Sequence, residues 1–364
     1  MKIEKEVLVK ALSNVKKAIE KSTMESFEAF NIKSSDGIMS ITGGSAYMTI
    51  TGSFPTESDE KFSCVINADA LFSTISKIMV DYIELTLNND VLQIRSDDVA
   101  LDLPTMDPGI FPVEDVTTDG ITMINAPDSL QDYVKACEHS VGNEKRDFRM
   151  ASFFVEFGDN NEVKVTTLDG QRISKRYTSN FKPNKSFIAS GKTFKTALRI
   201  IEDNLMLGLM DTKAIISGKS EGCTYNISIN LVEGDFYSVD SIIKNLSGKI
   251  VVKASKQDLL SILNLSVLFK RLVLTIGENN INVNAKGDEG CLSQGKLAQR
   301  MAVVTEGITG DEKFRIGINS KYLSDAVNSL EDDFITIKFS GDVSPIMLSS
   351  NEKELEIILP IKLQ

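Results

Sequence analysis

The chain has 364 residues, 42% of them hydrophobic and 25% charged, with a formal net charge of −11. That balance excludes a disordered chain, which lacks the apolar surface to offset the entropy of ordering. No apolar run approaches the roughly 20 residues of a membrane-spanning helix, and the charged start Met1 to Glu6 is unlike a signal peptide. A soluble, cytoplasmic protein without membrane contact is therefore expected. An acidic chain binds nucleic acid only where its positive charge gathers on one face.

The first predicted helix covers residues 5–21. At helical spacing Leu8, Leu12, Val15 and Ile19 form one apolar stripe, with Lys10, Lys17 and Lys21 opposite. Val65-Ile66-Asn67 then ends a strand, and Asn67 can cap the free amides of a second helix. Leu71, Ile75 and Ile78 are the apolar stripe of that helix, and Lys77 with Ser73 and Ser76 its polar side. Ile83 to Leu87 and Val91 to Ile94 alternate with period two around Asn88-Asn89-Asp90, a hairpin pattern.

The same order recurs twice. A helix over 128–141 precedes the strand Ile188-Ala189-Ser190 and a second helix. That helix turns Phe194, Leu198 and Ile201 inward and Lys192, Lys195 and Arg199 outward. A hairpin with a weaker turn follows over 205–216. A helix over 256–268 then precedes Gly317-Ile318-Asn319, a stripe of Leu323, Val327 and Leu330, and a hairpin of Ile335 to Phe339 with Ile346 to Leu348. The fold class is α+β, in three units at 1–119, 120–246 and 247–364. No flexible linker separates them.

The helix over 256–268 stands apart. Leu259, Leu260, Ile262, Leu263, Leu265, Val267, Leu268 and Phe269 surround it almost completely. A helix apolar all round is buried on both sides. Leu265, Leu268 and Phe269 are therefore expected either deep within their own unit or against a second surface at a seam, for which Phe72, off its own helix's stripe, is a candidate.

Motifs for chemistry do not assemble. Cys64, Cys137, Cys223 and Cys291 are scattered and His139 is the single histidine, so neither a zinc site nor a disulfide framework is expected. Ser190-Gly191-Lys192-Thr193 and Ser217-Gly218-Lys219-Ser220 resemble the end of a phosphate-binding loop, but its first glycine is replaced by Ser186 and Lys213 respectively. Asp97-Asp98 and Glu331-Asp332-Asp333 read as solvated loop acids, and no nucleophile accompanies His139. No catalytic residue, metal or cofactor is expected, so the chain does not read as an enzyme.

Four segments, in order, resemble the bacterial DNA polymerase III beta subunit, or beta sliding clamp, family. They are Met1-Lys2-Ile3 with Leu8-Val9-Lys10-Ala11-Leu12, Leu103 to Pro112, Thr167-Leu168-Asp169-Gly170-Gln171-Arg172-Ile173, and Ile357-Ile358-Leu359-Pro360-Ile361-Lys362-Leu363. The resemblance implies three clamp-type domains and a head-to-tail homodimeric ring of pseudo-six-fold symmetry, helices inside. It would act as a nucleoid-associated processivity factor. The implied partners are duplex DNA without sequence preference, the replicative polymerase's catalytic subunit, the clamp loader and other proteins carrying a clamp-binding peptide. The DNA-facing set would be Lys10, Lys17, Lys21, Lys77, Lys192, Lys195 and Arg199. A peptide cleft would be built from Leu168, Gly170, Gln171, Arg172, Ile173, Lys244, Ile357, Leu359, Pro360, Ile361 and Lys362. The chain departs from the family in Leu168, Gln171, Lys244 and Lys362, and Gln364 extends past the usual end. The alternative is a clamp-fold scaffold that binds proteins without encircling DNA.

Overall fold

The computed structural model describes residues 1–159, 161–266, 268–286 and 296–363; Val267, Cys291 and Gln364 lie outside the described residues. In chain order the first elements are β1 (Lys2–Glu4), α1 (Lys5–Lys16), β2 (Ala29–Ser35), β3 (Ile38–Gly44), β4 (Met48–Pro55), β5 (Phe62–Asn67), α2 (Ala68–Ile75), β6 (Tyr82–Asn88), β7 (Val91–Arg95) and β8 (Ala100–Pro104). Then come β9 (Ile124–Asn125), α3 (Leu130–Cys137), β10 (Ser152–Phe157), β11 (Val163–Leu168), β12 (Arg172–Tyr177), β13 (Lys185–Ser190), α4 (Gly191–Ile200), β14 (Asp203–Leu209), β15 (Lys213–Ser220), β16 (Cys223–Asn230) and α5 (Val239–Lys244). The last are β17 (Ile250–Ser255), α6 (Lys256–Leu265), β18 (Arg271–Gly277), β19 (Asn280–Lys286), β20 (Lys296–Ala302), β21 (Val304–Glu306), β22 (Phe314–Asn319), α7 (Ser320–Ser329), β23 (Phe334–Phe339), β24 (Ile346–Ser349) and β25 (Glu354–Ile358).

The helices start where the capping chemistry places them. The Asn67 side chain accepts from Ala70 N–H at 2.9 Å to open α2, and Asn319 from Tyr322 N–H at 3.2 Å to open α7. Three helices stop earlier than periodicity alone predicts, among them α3, which ends at Cys137 and passes into a 3-10 turn over Glu138–Ser140. After Lys16 the amides of Lys17, Ala18 and Ile19 reach back only three residues, to Asn14, Val15 and Lys16, so α1 unwinds before Lys17 and Lys21. At the end of α6 the buried Ser266 hydroxyl donates to Leu263 O at 2.8 Å and meets the Ser320 hydroxyl at 2.8 Å. That local alternative to helical bonding ends α6 at Leu265.

Contacts group the chain into two compact units. One holds Met1–Ala126 with Lys192–Leu231, the other Pro127–Gly191 with Val232–Gln364. The span 120–246 expected as a middle unit is thus shared between them. The division follows the sheets. The first unit has a four-stranded sheet β1-β6-β7-β8 and an eight-stranded sheet β5-β2-β3-β4-β16-β15-β14-β9. In the latter β16 pairs antiparallel with β4, Ile227 opposite Ile50. Gly52 lies opposite Tyr225 there, and a Cβ on it would stand 2.9 Å from the buried Tyr225 ring.

The second unit has a nine-stranded sheet β13-β10-β11-β12-β25-β24-β23-β17-β21 and a four-stranded sheet β20-β19-β18-β22. Here β12 and β25 join the two parts of the large sheet, Ser174 opposite Glu356. Leu259, Ile262 and Leu263 of α6 and Leu323, Ala326 and Val327 of α7 share one core with both sheets.

Candidate functional site

An apolar site of the second unit is built around the turn between β11 and β12. Asp169 Oδ1 accepts from the Gln171 and Arg172 amides, each at 2.9 Å, and Gly170 takes the left-handed conformation (φ +86°) that the tight turn needs. Arg172 is held on three sides. Its Nε donates to Asp169 Oδ2 at 2.8 Å, its Nη1 to Asp325 Oδ2 at 2.7 Å, and its guanidinium stacks 4.3 Å from the centre of the Tyr322 ring. Burial alone would raise the Asp325 carboxyl, but the hydrogen bonds from Arg172 and Lys321 hold it below the usual carboxylate range. Tyr322 Oη donates to Gln171 Oε1 at 2.8 Å, and Leu359 N–H to Gln171 O at 2.8 Å.

Between these fixed groups lies a cavity of about 230 Å³. Of the residues expected at a peptide cleft, Leu168, Ile173 and Ile357 form its buried floor, with Gly170, Gln171, Arg172 and Leu359 at the rim. Lys244, Pro360, Ile361 and Lys362 do not line it. Lys244 closes α5, and the chain past β25 is drawn away by the bond from Ile361 N–H to Gly317 O at 2.7 Å.

Sequence reasoning missed Met150, Tyr237, Val239, Ile242 and Pro345, which complete the wall. Val239 and Ile242 come from α5, six residues long and too short to show a helical period. The segment is pinned on both sides of Val239. Tyr237 Oη donates to Asp147 Oδ2 at 2.6 Å, Arg149 Nη2 to the same oxygen at 3.0 Å, and Lys175 Nζ to Asp240 Oδ1 at 2.7 Å. The bonds from Arg149 and then Tyr237 hold the Asp147 carboxyl well below its ordinary range. Aliphatic walls with a few fixed polar groups at the mouth suit the apolar side chains of a peptide.

The expected DNA-facing residues of the first unit fall on α1 and α4, on the chain just past α1, and, for Lys77, just past α2. Lys10 Nζ is 2.7 Å from Glu221 Oε1, and that hydrogen bond raises its pKa. Lys17 donates to Asn14 Oδ1 at 2.7 Å; burial, then the nearby charge of Lys10, pushes its pKa down. Lys192 Nζ lies 2.5 Å from Glu20 Oε1, which brings the start of α4 beside the exit of α1. Lys21, Lys77 and Arg199 are exposed and Lys195 half-buried. The positive groups thus gather near α1 and α4, with acids threaded among them.

The expected seam residues are not all available to a partner. Leu265 and Leu268 are exposed at 55% and 70%, whereas Phe269 is 8% exposed and packs into the core of its own unit. The early end of α6 at Ser266 lets the chain fold Phe269 inward. Phe72 is half-buried, with Lys16 Nζ 4.8 Å from its ring centre. The conspicuous unpaired features are instead strand edges. β8 bonds only to β7 and β20 only to β19, so each four-stranded sheet ends in an open edge among the described residues.

Comparison with known proteins agrees with this architecture. The model of the DNA polymerase III beta subunit N-terminal domain matches residues 1–115, and that of its C-terminal domain matches residues 249–362. The beta sliding clamp of Bacillus subtilis is 23% identical over 385 aligned positions, covering 99% of this chain and 98% of that protein. The crystal structure of the Bacillus subtilis clamp has a TM-score of 0.86 at 20% identity, covering 100% of this chain and 99% of that one. The DNA polymerase III beta subunit of Pseudomonas aeruginosa has a TM-score of 0.86 at 16% identity, with all of both chains covered. With family models matched at both ends and relatives aligned over nearly the whole length, the chain belongs to the DNA polymerase III beta subunit family, the beta sliding clamps, non-catalytic processivity factors of DNA polymerase.

Proposed function

We propose that two copies of this chain close head to tail into a ring around duplex DNA, and that the cleft beside Arg172 tethers polymerase and other proteins through a short apolar peptide segment. The observation that carries the reading is the pair of open edges. The large sheets have eight and nine strands, whereas the β8 and β20 sheets have four each. Joining β8 of one copy to β20 of another would make two further eight-stranded sheets per dimer, each ending in β1 and β22, and would cover the β8 and β20 edges, which otherwise invite unspecific pairing. The edges are complementary in charge: Asp97 and Asp98 stand just before β8, whose Asp102 is paired with Arg95, and β20 carries Lys296 and Arg300. Leu265 at the end of α6 and Leu268 just past it would add apolar area to this seam.

The reading is tested by solution mass and by peptide binding. A dimer is expected, together with roughly micromolar affinity for a peptide with apolar anchors. Removing the last five residues, Pro360 to Gln364, should leave that affinity largely intact, whereas Arg172→Ala should weaken it at least tenfold. A monomer at micromolar concentration rules out the ring, and equal affinity of the Arg172 variant rules out the cleft.

The second reading, a scaffold of the same fold that does not encircle DNA, is favoured by one observation. Lys10, Lys16 and Lys192 are ion-paired with Glu221, Asp69 and Glu20, which offsets charge that would otherwise face phosphates. Retention on circular DNA separates the two.

A further inference from the structure

The face of β12 and β25 turned away from the cleft carries a buried charged network. Side chains alternate along a strand. Ile173 and Ile357 therefore form the cleft floor, while Ser174, Arg176, Glu354 and Glu356 point to the opposite side, beneath the helices. All four are buried, Arg176 and Glu356 each at 1% exposure. Arg176 Nη1 lies 2.8 Å from Glu356 Oε1, and its Nη2 donates to Ser329 O at 3.0 Å, on α7. Ser174 Oγ donates to Glu356 Oε1 at 2.6 Å and Ser329 Oγ to the same oxygen at 3.0 Å. The other carboxylate oxygen, Oε2, is 3.1 Å from His139 Nε2.

His139 Nδ1 is 2.9 Å from Ala136 O. Both ring nitrogens thus face acceptors. Glu354 sits beside the network, its Oε1 3.9 Å from Arg176 Nε, and accepts from the Ser350 hydroxyl and from Glu331 N–H at 3.2 Å. Tyr133 and the buried Cys137 thiol, both on α3, also face this network. One guanidinium therefore ties together β12, β25 and α7, and through Glu356 the turn after α3, directly behind the cleft.

We propose that Arg176 and Glu356, joined by His139, are positioning residues of the peptide cleft: they set the seat of β25 on β12, and with it the spacing of Ile173, Ile357 and Leu359 that a bound peptide meets. The proposal rests on the peptide-binding reading of that cleft. The large sheet has a two-strand joint here, and a buried ion pair is a register device, because a slip would leave a charge unpaired in the interior. The rim depends on the same joint, since Leu359 N–H bonds to Gln171 O one step beyond the last paired residues.

The test uses the full-length chain and a fluorescent peptide with apolar anchors. Arg176→Met, which leaves Glu356 without its cation, should weaken peptide binding at least tenfold and speed hydrogen exchange of the Leu359 amide, with dimer mass and exchange in β4 and β16 unchanged. The double variant Arg176→Met/Glu356→Gln removes both charges and leaves a carbonyl to accept from Ser174 and Ser329. It should return binding to within about threefold of the parent. A folded Arg176→Met protein with parental affinity and parental Leu359 exchange overturns the proposal, as does a double variant no better than the single one. Should Arg176→Met fail to fold, Glu356→Gln, which keeps the network's shape, carries the same readouts in milder form. If the parent binds no peptide, the peptide reading fails, and the positioning claim is judged on Leu359 exchange in the same variants.

Discussion

At the scale of single residues, the side chains that matter most are those whose partners leave them one position. Arg172 and Arg176 lie four apart on one strand and both reach α7, Arg172 at the cleft rim through Asp325 and Arg176 in the core through Ser329. Each is fixed by carboxylates. Burial would raise the Glu356 carboxyl, but the His139 hydrogen bond and the Arg176 charge outweigh it and depress its pKa. A depressed carboxylate contributes stability that is fully present above its unfolded pKa of about 4.3 and is lost as pH falls through the folded value. Denaturant midpoints of the parent and Glu356→Gln should therefore differ by a constant amount near neutrality, the parent losing its advantage below about pH 4. Parallel curves down to pH 2 would show that Glu356 is not stabilised as a carboxylate. The cleft's Leu168, Gly170, Arg172 and Leu359 were legible because they sit in contiguous motifs. The network was not: Arg176, Glu354 and Glu356 look like alternating solvent-facing charges on strands, and only the covering helices make that face interior.

At the scale of elements, the repeated strand-helix-hairpin order was readable because caps and periodicity agree. Asn67 and Asn319 cap as their chemistry demands, and Leu8, Leu12 and Val15 are fully buried on α1. Helix ends were less legible. The stop at Ser266 depends on a hydroxyl meeting Ser320 from far along the chain, so the apolar run through Phe269 read as one helix buried on two sides. The structure separates its parts: Phe269 is core, while Leu265 and Leu268 are exposed. Leu265→Asp combined with Leu268→Asp should therefore spare the fold and weaken the seam, since a charge held in an apolar interface lacks a partner. Sedimentation should show a folded monomer at micromolar concentration. A variant as dimeric as the parent would place the seam entirely on the strand edges.

At the scale of the whole molecule, a net charge of −11 has to coexist with a hold on DNA. If Lys10 and Lys192 face DNA as proposed, the acids paired with them weaken that hold and favour sliding over tight binding. Glu221→Gln removes the partner of Lys10 and should strengthen DNA binding, with the salt dependence of log K steepening by about one. An unchanged slope would mean that Lys10 never meets phosphate. The three-unit organisation is a proposal at this scale too, because contacts divide the chain into two units that share the span 120–246.

Encirclement itself is tested most directly by loading the protein onto nicked circular DNA with a clamp loader, isolating the complex, and cutting the circle once. A closed ring should stay on the circle through a high-salt wash and leave when the DNA is linearised. Release by salt from the intact circle, or retention after linearisation, would contradict it.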